Sequence, residues 1–437
     1  MVYKQHTPER VTLDKIVGGG QAIGTLSNGK KAFVWNGLPG EDVTFQPSKQ
    51  KSHYVEGVVT EVHTPSDARI APKDPESYLS TSPWQMMTFD AEQHYKAALI
   101  EEAFELHDIV LPNPIVVHSD NKTERYRNKV EFSWYGSADE TTGKQYLDLA
   151  FFRRGSKGKI IVDDSSLLPK SIIKLAREIR DLLAKKHVSA RQLKTLLIRC
   201  DQQNNCVWQL YVKDSEFNYI TENAAKSFTA QGGEVIYSDP RSPASRITQR
   251  LHSYGNIVLT DTIKNIPFRY ATESFFQVNI PLYEIALSAM EQWVLPGKPL
   301  VDLYSGVGTI GLTIGGENVT LVEINEDAVR EMKQNIVRMN KSDSATAVLA
   351  PAEKALEHIS SEACIIIDPP RAGLHSHVIE ALLDTTPERI IYLSCNPVTQ
   401  ARDVALLAEK YGVRAHEGFN FFPRTPHIEH LVVLDKK

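Results

Sequence analysis

The stretch Ile390-Ile391-Tyr392-Leu393-Ser394-Cys395-Asn396-Pro397 carries one thiol past the end of an apolar run. Such a run reads as a buried strand, and open α/β sheets bind ligands beyond the carboxyl ends of their strands, where a cysteine can serve as a nucleophile. A free cysteine is also often no more than a small core side chain. Three segments give this one company: DLYSGVGTIGL at 302–312, DPPR at 368–371 and PRTPHIE at 423–429. Gly306, Gly308 and Gly311 satisfy the G-x-G-x-x-G pattern between a strand-like and a helix-like segment, and Glu323 closes the next strand-like run. Glycines let a ligand approach the backbone, and a carboxylate at the second strand end can accept both ribose hydroxyls. NAD and S-adenosylmethionine make the same demands, so the pattern leaves both open. Asp368 ends the apolar run ACIII, and the two prolines after it fix their φ angles and stiffen the exit. Arg371 can clamp a phosphate or pair with a nearby acid.

The elements that must hold these residues alternate through residues 269–437. KPLVDLYSG, NVTLVEIN, TAVLA, ACIIIDPP and RIIYLSCN are strand-like, with helical stretches between them and EHLVVLD as a closing strand. This pattern predicts a Rossmann-like α/β domain with a parallel-rich sheet. Residues 1–65 alternate short β-like runs with glycine turns and predict a small oligonucleotide-binding-type barrel, on which Lys30, Lys31, Lys49 and Lys51 can meet phosphates. Residues 66–268 read as a Pro/Ser-rich linker followed by a central α/β domain. Within it, a helix over 91–107 can pack with the catalytic domain.

At 437 residues the chain expects two or three domains. No run approaches the roughly 20 apolar residues of a membrane span, and the first residues lack the apolar core of a secretory signal, so a cytoplasmic address is expected. Cysteines occur at 200, 206, 364 and 395, with spacings that suit neither a zinc ribbon nor a disulfide framework. Cys200 and Cys206 flank a hairpin turn across which they can face each other, and two ordinary thiols are expected in preference to a disulfide or half a metal site. The formal net charge is −5, yet residues 153–199 hold 13 Lys and Arg against four Asp and Glu. That local excess of +9 suits a polyanion, and it also suits two solvated helix faces.

A carboxylate before Pro-Pro is a hallmark of methyltransferases acting on planar nitrogen heterocycles. DLYSGVGTIGL, SFFQVN (274–279), VEIN, DPPRAGL, YLSCNP with Arg402-Asp403, and PRTPHIE resemble, in order, the motifs of the RNA uracil-5 methyltransferase family. YRNKVEFS (126–133) resembles that family's central-domain signature, and the barrel is similar to its TRAM module. The resemblance implies S-adenosylmethionine as cofactor and 5-methyluridine as product. It implies Cys395 as the nucleophile at uracil carbon 6 and Glu429 as the base that removes the carbon 5 proton, with His427 orienting. Gln277, Tyr304, Glu323 and Asp368 match cofactor-binding positions, with Gly306 and Gly308 giving backbone access. Asp368 and Gln277 would also hold the polar edge of the base, Phe275 would stack on it, and Arg127 and Lys129 would meet RNA.

The chain departs from the family at two places. Ser82 and Ser165 stand where cluster-bearing relatives have cysteines, so no iron–sulfur cluster is expected. Pro351 stands where relatives often carry Gly or a polar residue near the adenine. The barrel points to 23S ribosomal RNA as substrate, with transfer RNA as the alternative and no membrane or obligate protein partner. A non-catalytic RNA-binding protein on the same scaffold leaves Cys395 and Glu429 unexplained. An NAD oxidoreductase leaves DPPR without a task as well.

Overall fold

The computed structural model describes residues 7–138, 145–156 and 158–437. Five strands, Glu9–Ile16, Ala22–Thr25, Lys31–Trp35, Asp42–Gln50 and Tyr54–Thr64, close into a barrel. Their alternate residues Val11, Leu13, Val34, Val43, Phe45 and Val55 fill it, which is the period-2 pattern of a half-buried strand carried round a closed sheet. Of the barrel lysines, Lys49 pairs with Glu56 at 2.6 Å, and Lys31 donates to Thr25 Oγ1 at 2.8 Å.

The middle of the chain builds a seven-stranded sheet in which Lys129–Ala138 lies between Gln145–Phe152 and Leu193–Cys200. The amphipathic helix Lys170–Lys185 packs on one face, joining Ile172, Leu175, Ile179 and Leu183 to Phe132, Trp134 and Leu196. The hairpin Leu193–Cys200 and Cys206–Val212 places Cys200 directly opposite Cys206, and the two form a disulfide. This corrects the expectation of two separate thiols. The polar residues DQQNN close a turn whose register sets the two side chains face to face, as the hairpin reading allowed, but close enough to bond.

Ser82 is fully buried and accepts from Gln85 Nε2 at 2.7 Å, which also donates to Ser166 Oγ at 3.1 Å and Asp74 Oδ2 at 3.0 Å. The linker is thereby stitched to the loop that holds Ser165 by hydrogen bonds among polar side chains.

The last sheet has eight strands. Five run parallel in the order Ala345–Leu349, Val319–Glu323, Leu300–Leu303, Cys364–Ile367 and Arg389–Ser394; then Glu429–Lys436 adds antiparallel, followed by Tyr411–Phe419 and the short strand Val117–His118. The central strands are buried on both faces, which explains their unbroken apolar sequences. The helix Phe89–Glu105 lies on this sheet, placing Ile100, Ala103 and Phe104 in its core. No helix is long and apolar enough to cross a membrane among the described residues.

Candidate active site

The register of the last sheet assembles the chemistry. Ser394 pairs with His430, so one step further along the antiparallel ladder Cys395 lies beside Glu429. The parallel neighbour Cys364–Ile367 runs out at Asp368, and Leu300–Leu303 runs out at Tyr304, so these two side chains emerge at the same end. Cys364 itself is fully buried in the core.

After Cys395 the chain turns at once into the helix Pro397–Leu407, with Asn396 accepting from Val398 N at 3.3 Å. The same Asn396 donates to Arg371 O at 2.9 Å, and Thr399 Oγ1 donates to it at 3.1 Å. Asp403, fully buried, accepts from Leu374 N and Tyr392 OH, each at 2.8 Å. The exit of DPPR is thus fastened to the elements that bracket Cys395, which couples the position of Asp368 to that of the thiol.

Three acids and thiols share little water here. Burial, with Glu429 and Asp368 nearby, pushes the Cys395 thiol up to about 12, and Arg371 opposes the shift. Burial pushes Asp368 up to about 7. Glu429, 4% exposed, is raised well above the carboxylate range by burial and by Asp368, again opposed by Arg371. A carboxyl so placed holds a proton firmly once it takes one, which suits a base.

The loop before Glu429 is held from afar. Glu92 and Lys96, both fully buried on the helix Phe89–Glu105, form an ion pair at 3.2 Å. Glu92 accepts from Arg424 N at 3.0 Å and Asn420 Nδ2 at 2.8 Å, Lys96 donates to Asn420 Oδ1, and Tyr126 OH donates to Pro423 O at 2.9 Å. Among the described residues His427 pairs with no acid. Burial, then the charge of Arg371, pushes its ring down to about 4, and its Nδ1 lies 3.3 Å from Arg371 Nη2. It is a neutral group facing a guanidinium.

A second cleft opens between the glycine loop and the SFFQVN segment, lined by Phe275, Gln277, Tyr283, Tyr304, Ser305, Gly306 and Asp368. Tyr304 has φ 64°, Gly306 57° and Gly308 87°, so this turn runs in left-handed backbone. A Cβ on Gly306 would meet nothing within 4 Å, so the backbone there stands open. Glu323 accepts from Gly306 N at 2.9 Å and Asn325 N at 2.8 Å. These bonds hold the carboxylate against Gly306, which lines the cleft, and Ile324 next to Glu323 is 66% exposed. S-adenosylmethionine fits this donor set: a carboxylate for ribose hydroxyls, an apolar side chain for the adenine face and an open backbone for the amino-acid end. Pro351 begins a 3-10 turn just past the edge strand Ala345–Leu349.

The two phenylalanines of SFFQVN divide. Phe276 is buried and stacks on Tyr270 at 4.0 Å, whereas Phe275 is 69% exposed at the cleft. Gln277 is positioned through its backbone, accepting from Asn128 Nδ2 at 3.4 Å. Ser274 O accepts from the buried Arg199 at 2.6 Å. The sequence reading had no place for Tyr283 or for Asp302. Asp302 is fully buried, accepts from Gly311 N at 2.8 Å and is pushed by burial up to about 8, with Oδ1 left unbonded.

Cys395, Arg371 and His427 line a cleft of about 540 Å³ together with barrel residues Gly18, Gly19 and Trp35. Thr81, Arg154 and His427 also line a neighbouring cleft of about 460 Å³ that contains Arg127, Lys129 and Glu131. The Arg154 guanidinium stacks 4.1 Å from the Trp35 ring and joins barrel to central sheet. Lys129 is 3.3 Å from Glu131, and Arg127 Nε donates to Lys129 O at 3.2 Å. Much of the basic stretch is spent internally: Arg177 binds Asp163 at 2.8 Å, Lys194 donates to Ser238 Oγ at 3.0 Å, and Lys159 donates to Trp134 O at 2.8 Å. Lys157 of that stretch lies outside the described residues.

The arrangement matches known proteins throughout. Residues 89–437 match the model of the tRNA (Uracil-5-)-methyltransferase family. An uncharacterised RNA methyltransferase of Fusobacterium nucleatum is 29% identical, the alignment covering 98% of this chain and 96% of that protein. One from Bacteroides thetaiotaomicron is 28% identical, over 95% and 99% respectively. The crystal structure of Pyrococcus abyssi tRNA (uracil-54, C5)-methyltransferase in complex with S-adenosyl-L-homocysteine superposes with a TM-score of 0.77 at 20% identity, covering 97% of this chain and all of that one. With its match spanning the sheet, the cysteine and the carboxylates together, this chain belongs to the tRNA (uracil-5-)-methyltransferase family.

Proposed function

We propose that this protein forms 5-methyluridine in RNA, with Cys395 as nucleophile and Glu429 as base. The observation that carries the reading is the ladder step that sets Cys395 beside Glu429, next to the strand that runs out at Asp368 in the glycine-loop cleft. Carbon 5 of uracil is a weak nucleophile. Addition of the Cys395 thiolate at carbon 6 turns the ring into an enolate whose electron density lies at carbon 5. S-adenosylmethionine, when bound between Gln277, Glu323 and Asp368, supplies the methyl group as an electrophile. Glu429 then takes the proton from carbon 5, the carbon 5–carbon 6 double bond reforms, and the thiolate leaves. Asp368, held near neutrality, can donate to or accept from the polar edge of the ring while charge builds on its oxygen. Phe275 stands free to stack on a base that has left its helix. Arg371 makes no ion pair among the described residues and shares the Cys395 cleft, which favours its reading as a phosphate clamp.

The expectation of 23S ribosomal RNA rested on the barrel. A transfer-RNA enzyme shares nearly the whole fold, so the barrel does not discriminate between the two RNAs. Both belong in the test. RNA containing 5-fluorouridine is incubated with the protein and S-adenosylmethionine and resolved under denaturing conditions, using 23S rRNA and transfer RNA as separate substrates. Fluorine cannot leave as a proton, so a covalent adduct dependent on Cys395 is expected with one of them. An adduct that survives Cys395→Ala, or none with either RNA, overturns the assignment.

A further inference from the structure

The segment Ser274-Phe275-Phe276-Gln277 brings Phe275 and Gln277 to the glycine-loop cleft, yet it belongs to neither helix nor strand. Backbone without a ladder of its own must be held from outside if its side chains are to keep their places. The central sheet does the holding. Arg199 Nη1, on the strand Leu193–Cys200, donates to Ser274 O at 2.6 Å, and Asn128 Nδ2, just ahead of Lys129–Ala138, donates to Gln277 O at 3.4 Å. These two strands are neighbours: Arg199 pairs with Lys129, and Cys200 N donates to Asn128 O at 2.9 Å. Both clamps therefore come from one hydrogen-bonded strand pair, and between them lie Phe275, Phe276 and Gln277.

A carbonyl shares its peptide plane with the next amide, so fixing Ser274 O fixes the plane from which Phe275 departs. The following ring is fixed from the same side. Phe276 stacks on Tyr270, and the Arg199 guanidinium lies 5.4 Å from the centre of that Tyr270 ring. One cation thus governs the backbone before Phe275 and the ring that anchors Phe276, which leaves Phe275 facing outward.

Arg199 is only 2% exposed and makes no ion pair among the described residues. The acids whose charges reach it are engaged elsewhere: Asp261 accepts from Tyr270 OH at 2.6 Å and Gln202 N at 2.7 Å, while Glu273 accepts from Gln209 Nε2 at 3.0 Å and from Arg250. Its Nε has no partner. A buried charge so incompletely satisfied is costly, and packing alone would be served better by an apolar side chain. What an apolar side chain could not do is hold Ser274 O.

We propose that Arg199 is a positioning residue for methyl transfer: with Asn128 it sets the backbone of residues 274–277 so that Phe275 meets the target base and Gln277 meets the base edge and the cofactor. This rests on the reading of the chain as a uracil-5 methyltransferase. It adds a residue that touches neither substrate nor cofactor and lies in the central domain.

The test uses the full chain, S-adenosylmethionine and whichever 5-fluorouridine RNA traps the wild type, at saturating RNA in a single turnover. The amplitude of adduct formation counts competent molecules, and the rate constant reports their geometry. In Arg199→Met the amplitude should stay near that of the wild type while the rate constant falls about 10- to 100-fold. Asn128→Ala, which removes one hydrogen bond, should slow the reaction about 3- to 10-fold at full amplitude. Combined with Phe275→Ala, Arg199→Met should cost less than the product of the two single effects, because both act at the same side chain. A wild-type rate constant in Arg199→Met, with any loss confined to amplitude, makes the residue purely structural and overturns the proposal. Losses that multiply in full in the double variant overturn it as well. Should Arg199→Met fail to fold, Asn128→Ala decides, and an unchanged rate constant there is the overturning result. No adduct in the wild type sinks the reaction and this proposal with it, whereas an adduct in the wild type leaves the variants to judge Arg199 alone.

Discussion

The shared field of Cys395 and Glu429 makes a prediction that needs no RNA. Cys395 is the partly exposed free thiol of the chain, since Cys364 is buried and Cys200 is bonded to Cys206. With its thiol held up at about 12, the thiolate is only about one part in 10⁴ at pH 8, so alkylation by iodoacetamide should be slow and rise about tenfold per pH unit. Glu429→Gln removes a carboxyl from the neighbouring ladder position. Side chains so placed stand about 5 Å apart, and two charges at that distance repel by about 3 kcal/mol at an effective dielectric near 20. That is about two pKa units, or about a hundredfold in thiolate. The effect exists only where Glu429 is ionised, and its carboxyl is raised well above the usual range. The two alkylation profiles should therefore coincide at acid pH and diverge as pH rises, with the variant faster. Stopped sampling from pH 5 to 10 with mass-spectrometric counting of modified Cys395 provides the measurement. Profiles that stay parallel throughout, or a slower variant, would refute the proposed electrostatic contact.

Further outcomes follow from other parts of the site. In turnover, Glu429→Gln should still transfer the methyl group yet accumulate the covalent RNA complex, visible on a denaturing gel; free turnover at the wild-type rate would mean another base acts. Gly308→Ala places a Cβ 2.8 Å from Leu312 Cδ1 at φ 87°, a strain of about 1–2 kcal/mol, and should weaken S-adenosylhomocysteine binding about tenfold by calorimetry. Asp302 retains its proton in the fold up to about pH 8 but loses it near 4 when unfolded. The native state thus binds more protons between those values, so stability should fall as pH rises across them, by at most about 1.4 kcal/mol per unit. Asp302→Asn should flatten that slope in denaturant titrations at pH 5 and 8. Asp403→Asn, which leaves the Leu374 amide and the Tyr392 hydroxyl poorly paired, should cost about 2–4 kcal/mol and lower the melting temperature.

Local patterns in the chain were enough to expect the parallel strands, the glycine turn and the acids at strand ends, because each depends on a few neighbouring residues. The helix expected over 91–107 lies at Phe89–Glu105, and the short edge strand Val117–His118 carries too few residues to announce itself. The step from Ser394↔His430 to Cys395 and Glu429 is a matter of register between strands far apart in sequence, which no window of residues contains. The same holds for Glu92 and Lys96, which are buried by contacts with residues 420–424 far away in sequence. Charge counting overstated the basic stretch for a related reason: Lys194 and Arg177 look free in sequence, yet they hold loops of their own domain. The hairpin cysteines were legible as neighbours but not as a bond.

The helix Phe89–Glu105 and the strand Val117–His118 are made early in synthesis, but their partners are the last strands of the chain. During translation, Glu92 and Lys96 can find each other, yet Asn420 and Arg424 lie 328 and 332 residues beyond Glu92 and reach them only much later. One edge of the eight-stranded sheet is therefore completed by a segment made long before the strand it pairs with, like a clasp. A fragment beginning at residue 269 would lack an edge strand and a covering helix, so the catalytic half should depend on residues 89–118 to fold, whether they arrive in the same chain or are added back as a separate peptide.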